Sequence, residues 1–374
     1  MATVTKSIVT SSRDYSTISA WEADLNDGSI YSNGDTAVGE MYADSTFTGA
    51  TTTIDGGSAI GGSAGHDLAL VKLTVHADSR HDGTAESGAL LKPTANSGHG
   101  QGIIRINVDN VTIEWLDISL DSLDSRNTNR AITLAGTNDN CILRNMLIHD
   151  KGGNPGSQGP AAIQALAAGG TSDTVSILNN IIYNIVETSG DHSVGINLNQ
   201  WQGTSNIYNN TVYNIVSNGG SKYAYGILFA NNSSTTTNIK NNIVAQLSGS
   251  QERAYYKNNA SSTINSANNL SDDTADAAYD AEDMAQSLND SSALTGKTLA
   301  QIAFVSTTGG SEDLHIESGS HCIDAGVDLG TTNGVEIDIN GRNRDSSGDT
   351  WDIGAHELVA DDDTTGAAFI MFVD

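Results

Sequence analysis

The chain is short of cations. Its 374 residues carry 17 Lys and Arg against 45 Asp and Glu, a net charge of −28. A basic nucleic-acid groove is thereby excluded, because contact with a phosphate backbone needs clustered cations. Adhesion to an anionic membrane surface is disfavoured for the same reason. Long apolar runs are also missing: no stretch approaches the roughly 18 residues of a membrane-crossing helix, so no membrane insertion is expected. The opening MATVTKSIVTSS lacks the apolar segment of a secretory signal, so ordinary signal-dependent export is not indicated. Cysteine is confined to Cys141 and Cys322, far apart and without a CxxC or a companion histidine spacing. That argues against a zinc site or a redox pair and for two buried thiols, with a single disulfide left open. Proline numbers only 3, aromatic residues make up 5 %, and long helical periodicity is almost absent.

Glycine, by contrast, numbers 39, and short apolar stretches alternate with Gly, Asn, Ser and Thr along most of the chain. Many short strands separated by turn residues imply an all-β protein. The acidic surplus serves solubility, with cation binding along the surface as the sharper alternative.

Self-similarity organises these strands. Segments at Val175 (VSILNNIIYNIV), Ser205 (SNIYNNTVYNIV) and Thr237 (TNIKNNIV) share the frame Ile-x-Asn-Asn-x-Val/Ile. Asn180, Asn210 and Asn242 recur at intervals of 30 and 32 residues, and Asn145, 35 residues earlier, is aligned with them. Trp115 falls in the same slot one unit earlier, and Asn269 is a weaker continuation. The alignment predicts stacked columns: Ile142, Ile177, Ile207 and Ile239; Leu147, Ile182, Val212 and Val244; Ile132, Ile163, Ile196 and Ile227. Alternation with period two makes these strands with a buried face. A unit near 30 residues is too short for a four-stranded propeller blade and fits one coil of a parallel β-helix, where each coil contacts only its neighbours. Asparagine tolerates left-handed backbone and can bond the asparagine one coil away, so Asn145, Asn180, Asn210 and Asn242 are expected to form a structural ladder at a tight bend.

A solenoid's open ends need caps. Ser16–Leu25 reads as one short amphipathic helix with Ile18, Trp21 and Leu25 on one face and Ser16 or Ser19 as cap, plugging the first coil. The expected organisation is an N-terminal strand and helix over 1–30, β-helix coils over 31–270, and an acidic excursion over 271–300. C-terminal coils over 301–358 follow, then a linker and apolar tail over 359–374 that packs on its own domain or docks on a neighbouring subunit.

The C-terminal stretches Asp313-Leu-His-Ile316, Ser320-His-Cys-Ile-Asp-Ala-Gly326, Asp338-Ile-Asn-Gly-Arg342 and Asp352-Ile-Gly-Ala-His-Glu357 carry a family pattern. Together they resemble the C-terminal coils of right-handed parallel β-helix proteins of the pectate-lyase-like superfamily. There the pattern is D-F-H-L, S-P-A-I-D-A-G, D-x-x-G-x-x-R and D-I-G-A-Y-E. This chain has His321 in place of the usual Pro and His356 in place of Tyr. The resemblance implies an all-β, single-stranded right-handed parallel β-helix with a short N-terminal capping helix. It does not fix function, since that architecture hosts lyases, hydrolases, adhesins and phage tailspikes.

Asp324, Asp338, Arg342, Asp352 and Glu357 are expected to form a buried Arg–carboxylate network with Asx turns closing the last coil. Asp338-x-Asn340-Gly341 resembles part of a calcium loop, but Ser347 stands near where the acidic ligand is needed, so Asp338 and Asn340 are only weak metal candidates. No cofactor is implied, and calcium is the one ion left open. Gly98-His99-Gly100 lacks the Asp partners and basic motif of a polygalacturonase, and Gly61–Asp67 is a single misspaced echo of a calcium-binding nonapeptide.

The loops at 121–130, 151–160, 187–193, 217–224 and 248–254 should stack into a ridge. They carry Asp121, Asp124, His149 (just before its loop), Asp150, Glu187, Asp191, His192, Lys222, Tyr223, Glu252 and Arg253. His149, His192, Tyr223 and Glu252 are candidate glycan contacts. Asp150, Glu187 and Asp191 are weak catalytic candidates, because two carboxylates about 5–10 Å apart suit glycoside hydrolysis. Two functions stay open. One is a bacteriophage virion surface protein, tailspike-like or capsid-decorating, with other virion proteins or copies of itself (a homotrimer among them) and glycans as partners. The other is a polysaccharide lyase or glycoside hydrolase working in a groove along the coils. Localisation follows as the virion surface, or extracellular by a signal-independent route.

Overall fold

The computed structural model describes residues 1–11, 13–49, 51–55, 67–94, 102–121, 130–136, 138–152, 159–166, 170–188, 191–218, 220, 222–229, 235–257, 262–272, 292–346 and 350–359. Outside them lie His99 and its flanking glycines, Gly61–His66, Asp124, Ser347, residues 273–291 of the expected excursion and the apolar tail from 360.

The chain winds into a parallel β-solenoid of about seven turns. Sheet A comprises Thr3–Ile8, Thr36–Met41, Leu70–Val75, Val111–Glu114, Cys141–Arg144, Thr174–Leu178, Thr204–Tyr208, Thr236–Lys240 and Thr263–Ala267. Sheet B comprises Leu90–Leu91, Asp117–Ser119, Leu147–Lys151, Ile181–Glu187, Thr211–Ser217, Ile243–Ser248 and Leu270–Ser271. Sheet C comprises Thr52–Ile54, Ile104–Ile106, Arg130–Ala135, Ala161–Leu166, Ser193–Leu198, Tyr223–Phe229 and Gln251–Lys257. Each later turn visits A, then B, then C, so neighbours in every sheet come from successive turns.

The interior is a set of aliphatic columns. Ile132, Ile163, Ile196 and Ile227 are in register as expected, with Ile104 before them and Tyr255 after. Two other columns need correction by one residue. Leu143, not Ile142, pairs with Ile177, and Ile148, not Leu147, pairs with Ile182. Since side chains alternate with period two, a one-residue slip exchanges the buried and outer faces. Sheet C approaches sheet B closely where its side chains are smallest. A Cβ on Gly195 would lie 2.6 Å from Val212 Cγ1, and one on Gly226 2.2 Å from Val244 Cγ1.

The source of the slip is the asparagine pair at the A-to-B corner. Its two members divide the roles expected of one. The first member, at Asn179, Asn209 and Asn241, is left-handed with φ of 53–54°. Asn145, Asn268 and Trp115 share that conformation. The second member builds the ladder: Asn180 Nδ2 to Asn210 Oδ1, Asn210 Nδ2 to Asn242 Oδ1 and Asn242 Nδ2 to Asn269 Oδ1, each 2.9 Å. Asn145 therefore belongs with Asn179. Met146 stands in the ladder position, and its backbone N–H donates to Asn180 Oδ1.

The N-terminal helix spans Ile18–Ala23, capped by Thr17 rather than Ser16 or Ser19, with the Ala20 N–H donating to Thr17 Oγ1 at 3.0 Å. Trp21 and Leu25 are fully buried against the first coil. Trp21 lies flat under Gly39, where a Cβ would come within 2.7 Å of the indole.

Residues 301–358 depart from the expected further coils. Phe304–Ser306 and Asp313–Ile316 pair antiparallel in a separate two-stranded sheet. Ile302, Phe304, Leu314, Ile316, Ile339 and Ile353 instead cover the outer face of sheet B, packing on Leu147, Ile181, Tyr183, Tyr213, Ile243 and Leu270. Sheet B is thus apolar on both faces, which is what a run such as Ile181-Ile182-Tyr183-Asn184-Ile185-Val186 encodes. The returning segment is fastened by the first-member asparagines. Asn268 donates to Ala325 O, Asn241 to Val327 O, Asn209 to Val335 O, Asn179 to Ile337 O and Asn145 to Asp338 O. The segment therefore runs back along the A-to-B corner toward earlier coils.

Cys141 and Cys322 are both buried free thiols. Burial pushes each up to about 12. Among the described residues no helix is long and apolar enough to cross a membrane.

Candidate functional site

Among the described residues, a groove of about 430 Å³ lies over the outer face of sheet C. Register builds it from two outward rows. One runs Arg130, Ala161, Val194, Tyr225, Arg253, and the other Thr133, Gln164, Asn197, Leu228, Tyr256. Aromatic rings converge there. His192 stacks on Tyr223 at 5.3 Å, Tyr223 on Tyr225 at 5.4 Å, and Tyr225 meets Tyr256 at 5.3 Å. Val194, Tyr225 and Leu228 form a small apolar patch with Tyr223 and Tyr256 against it.

The polar groups at this groove are fixed. The Tyr223 N–H donates to His192 Nδ1 at 3.0 Å. Burial, helped by Lys222, holds His192 below its ordinary value. The ring is therefore neutral near pH 7, and its Nε2 carries the proton. Asp191 Oδ1 accepts the His192 backbone N–H at 2.8 Å and lies 3.7 Å from Lys222 Nζ. Burial lowers Arg130 to about 10, which still leaves it cationic at neutral pH. Amides of Gln164, Asn197, Asn199 and Gln200 line the remainder. Apolar ring faces beside amides, one neutral imidazole and one guanidinium suit a polyol with ring C–H faces and hydroxyl groups.

The ridge residues divide. His192 and Asp191 reach the groove; Tyr223 and Arg253 border it, with the guanidinium 5.5 Å from the Tyr223 ring. Glu252 is exposed on Gln251–Lys257. Glu187 is fully buried, and its Oε2 accepts the Asp191 N–H at 2.9 Å. His149 and Asp150 lie in a sheet B strand rather than a loop. His149 Nε2 contacts Asp117 Oδ1 and Nδ1 contacts Asp150 Oδ2, both at 2.8 Å, and Tyr183 stacks on the ring. Burial would lower His149, but the bonds to Asp117 and Asp150 outweigh it and raise it to about 9. Asp150 also accepts from Asn184 Nδ2 at 2.9 Å, so it tops an outer ladder that continues to Asn214. Asp150 stands beside Asn184 in sheet B, and Glu187 ends the next strand of the same sheet.

The C-terminal cluster forms with a different arginine. Arg344, not Arg342, is fully buried, and its Nη1 donates to Glu357 Oε2 at 2.7 Å. Arg342 is half-buried, with its backbone N–H on Asp338 Oδ1. Asp338 accepts backbone N–H groups of Asn340 and Arg342 on Oδ1 and of Glu357 on Oδ2. Asp352 accepts those of Asp324 and Leu358. Asp324 is itself exposed and left-handed, with φ 53°. Burial raises Asp338, takes Asp352 up to about 6 and takes Glu357 to about 7 despite Arg344. Asn340 Oδ1 faces His315 Nε2 at 2.9 Å. The oxygens of Asp338 are thus turned to N–H donors, an arrangement for turn closure rather than for a cation. No cluster of three or more metal-ligating side chains occurs among the described residues.

Sequence reasoning missed Arg130, Gln164, Asn197, Tyr225 and Tyr256. Alternation counted from Ile227 would turn Tyr225 inward, and no position of Gln251–Lys257 was assigned, so the register alone brings Tyr225 and Tyr256 to the outer face. No family model matches the chain, and no curated protein matches it. What fold and groove define is a class, an all-β parallel solenoid with one sheet face covered by its own C-terminal segment and another bearing a groove among the described residues.

Proposed function

We propose that this protein is a rigid solenoid that contacts carbohydrate along the outer face of sheet C. The observation that carries the reading is the aromatic run His192, Tyr223, Tyr225 and Tyr256 bordering a groove lined with amides. The groove lies across successive turns, so a chain-like ligand meets the same kinds of group at each step. Contact is favoured over cleavage because Glu187 is buried and Asp150 lies on sheet B, which leaves Asp191 without either proposed carboxylate partner in the groove.

The setting we propose is the surface of a bacteriophage particle, as a tailspike-like or capsid-decorating protein. The C-terminal motifs that resemble the pectate-lyase-like superfamily support that setting, as does the high acidic charge of a soluble, exposed rod.

The test is binding of the full chain to an array of neutral and acidic oligosaccharides, followed by calorimetry on the hits. The paired change Tyr225→Leu and Tyr256→Leu should weaken binding at least tenfold, about 1.4 kcal/mol. An intact protein that binds no glycan overturns the contact reading. Flanking genes for sugar transport and glycosidases, in place of capsid or tail genes, overturn the particle setting.

A further inference from the structure

A second concavity, of about 560 Å³, lies on the other side of the molecule, where the returning C-terminal segment meets the early coils. Its walls come from three distant stretches: Arg80 and Asp82 after the third strand of sheet A, Trp115 at the corner, and Asp313, His315 and Arg342 on the returning segment. The size falls within the roughly 300–1,000 Å³ of small-ligand pockets.

Trp115 is the anomaly. It occupies the left-handed corner, φ 65°, that asparagine fills in the five following turns at φ 51–54°. Left-handed backbone costs a residue with a side chain about 1–2 kcal/mol, which asparagine offsets by local hydrogen bonding and tryptophan does not. Strain of this kind persists where surroundings over-determine it, and it clusters at ligand sites. Here it places an indole under the Arg80 guanidinium, with Cζ 4.4 Å from the ring. Arg80 Nε is directed to Val75 O, and Arg80 makes no ion pair among the described residues. The indole thus carries a guanidinium whose fork of N–H donors matches the geometry of an oxyanion.

The surrounding charges select the ligand. In a chain of net charge −28 this cleft holds two guanidiniums and two histidines beside two carboxylates, and burial holds one of the histidines, His81, below its ordinary value. Asp313 is committed to His315 through Oδ1 and Nδ1 at 2.5 Å. Asp82 accepts the N–H and hydroxyl of Thr84. Those carboxylates offset part of the cationic field, so one negative charge is welcomed and a second is penalised.

We propose that this cleft binds a singly charged oxyanion, a carboxylate or a sulfate ester, on the stacked guanidinium of Arg80. It is a different site from the sheet C groove and does not depend on it.

The probes are acetate, methyl sulfate and inorganic phosphate at pH 8, titrated into the full chain while the arginine side-chain N–H signals are followed by NMR. Acetate or methyl sulfate should shift the Arg80 signal saturably, and whichever binds identifies the source of the anion. Phosphate, a dianion at that pH, should bind more weakly. Arg80→Gln should weaken binding of the monoanion at least tenfold, and Arg80→Lys should weaken it less. Asp82→Asn should strengthen phosphate binding several-fold, an outcome that does not depend on the arginine variants folding. The Tyr225→Leu, Tyr256→Leu protein should bind as the parent does, which separates this site from the glycan groove. No saturable shift with either monoanion, phosphate as the tightest of the three, or full binding in Arg80→Gln overturns the proposal.

Discussion

Asn180 Nδ2 donates to Asn210 Oδ1 at 2.9 Å, while the residues just before them, Asn179 and Asn209, turn the chain. Two adjacent asparagines thus do different work at each of the later corners, at 179/180, 209/210, 241/242 and 268/269. One adopts the left-handed conformation and sends its side chain outward to hold the returning segment. The other points inward and closes a hydrogen-bonded column from Asn180 to Asn269.

The inner column should be costly to interrupt. Asn210 is fully buried; its Oδ1 accepts from Asn180, and its Nδ2 donates to Asn242 and Ile177 O. Each buried polar group left without a partner costs about 1–3 kcal/mol. Asn210→Ala should therefore lower the stability by about 2–4 kcal/mol in urea titration. Asn214→Gly, which keeps the left-handed backbone (φ 53°) accessible, loses a half-buried outer contact to Asn184 and should cost less than about 1 kcal/mol. Equal losses would show that the inner ladder has no special role.

The corner residue separates two effects. Asn241 is left-handed and bonds Val327 through both atoms of its amide. Asn241→Gly and Asn241→Ala both lose those bonds, but only alanine meets the conformational penalty. The alanine variant should be less stable than the glycine variant by about 1–2 kcal/mol. Equal denaturation midpoints would mean that the corner relaxes.

Much of this was legible. The recurrence of Asn-Asn and the column through Ile132, Ile163, Ile196 and Ile227 specify a solenoid, because a stacked coil buries the same position every turn. The single Asn145 was aligned with the wrong member of the pair, since one asparagine without a neighbour fits either role. The C-terminal segment was misread as more coils because its Asx turns resemble coil corners. Its true position was hinted at by Ile181 and Ile243, apolar at outward positions and therefore in need of cover. The groove escaped notice because its residues come from five strands and only register unites them.

His149 gives a pH dependence of fixed sign. Its folded value is raised to about 9 from an ordinary 6.5 by Asp117 and Asp150, against the opposing effect of burial. A group raised on folding contributes stability that is fully present below its unfolded value and is lost as pH rises through the folded one. The protein should therefore lose stability between about pH 6.5 and 9 on this account. His149→Gln should flatten that part of the profile. Urea titrations at half-unit pH steps measure it, and an identical slope in parent and variant would remove His149 as the source.

The buried pair Arg344–Glu357 anchors the returning segment, and its two members should not be equivalent. Arg344 Nη1 donates to Glu357 Oε2, Nη2 donates to Gly354 O, and the guanidinium lies 5.7 Å from the Trp351 ring. Removing one member of a buried pair costs about 3–5 kcal/mol, because the other charge is left uncompensated. Arg344→Met leaves the buried Glu357 carboxylate without its cation, although the Asp352 N–H still donates to it. Glu357, however, is already raised to about 7 by burial, so its neutral form is within reach and Glu357→Gln keeps most of the geometry. Arg344→Met should lose about 3–5 kcal/mol and Glu357→Gln clearly less. Hydrogen exchange locates the damage. In Arg344→Met the amides of 313–358 should exchange first, while sheet A and sheet C strands stay protected, since those sheets close without the segment. Simultaneous loss of protection in all three sheets would instead make the segment part of one cooperative unit with the coils.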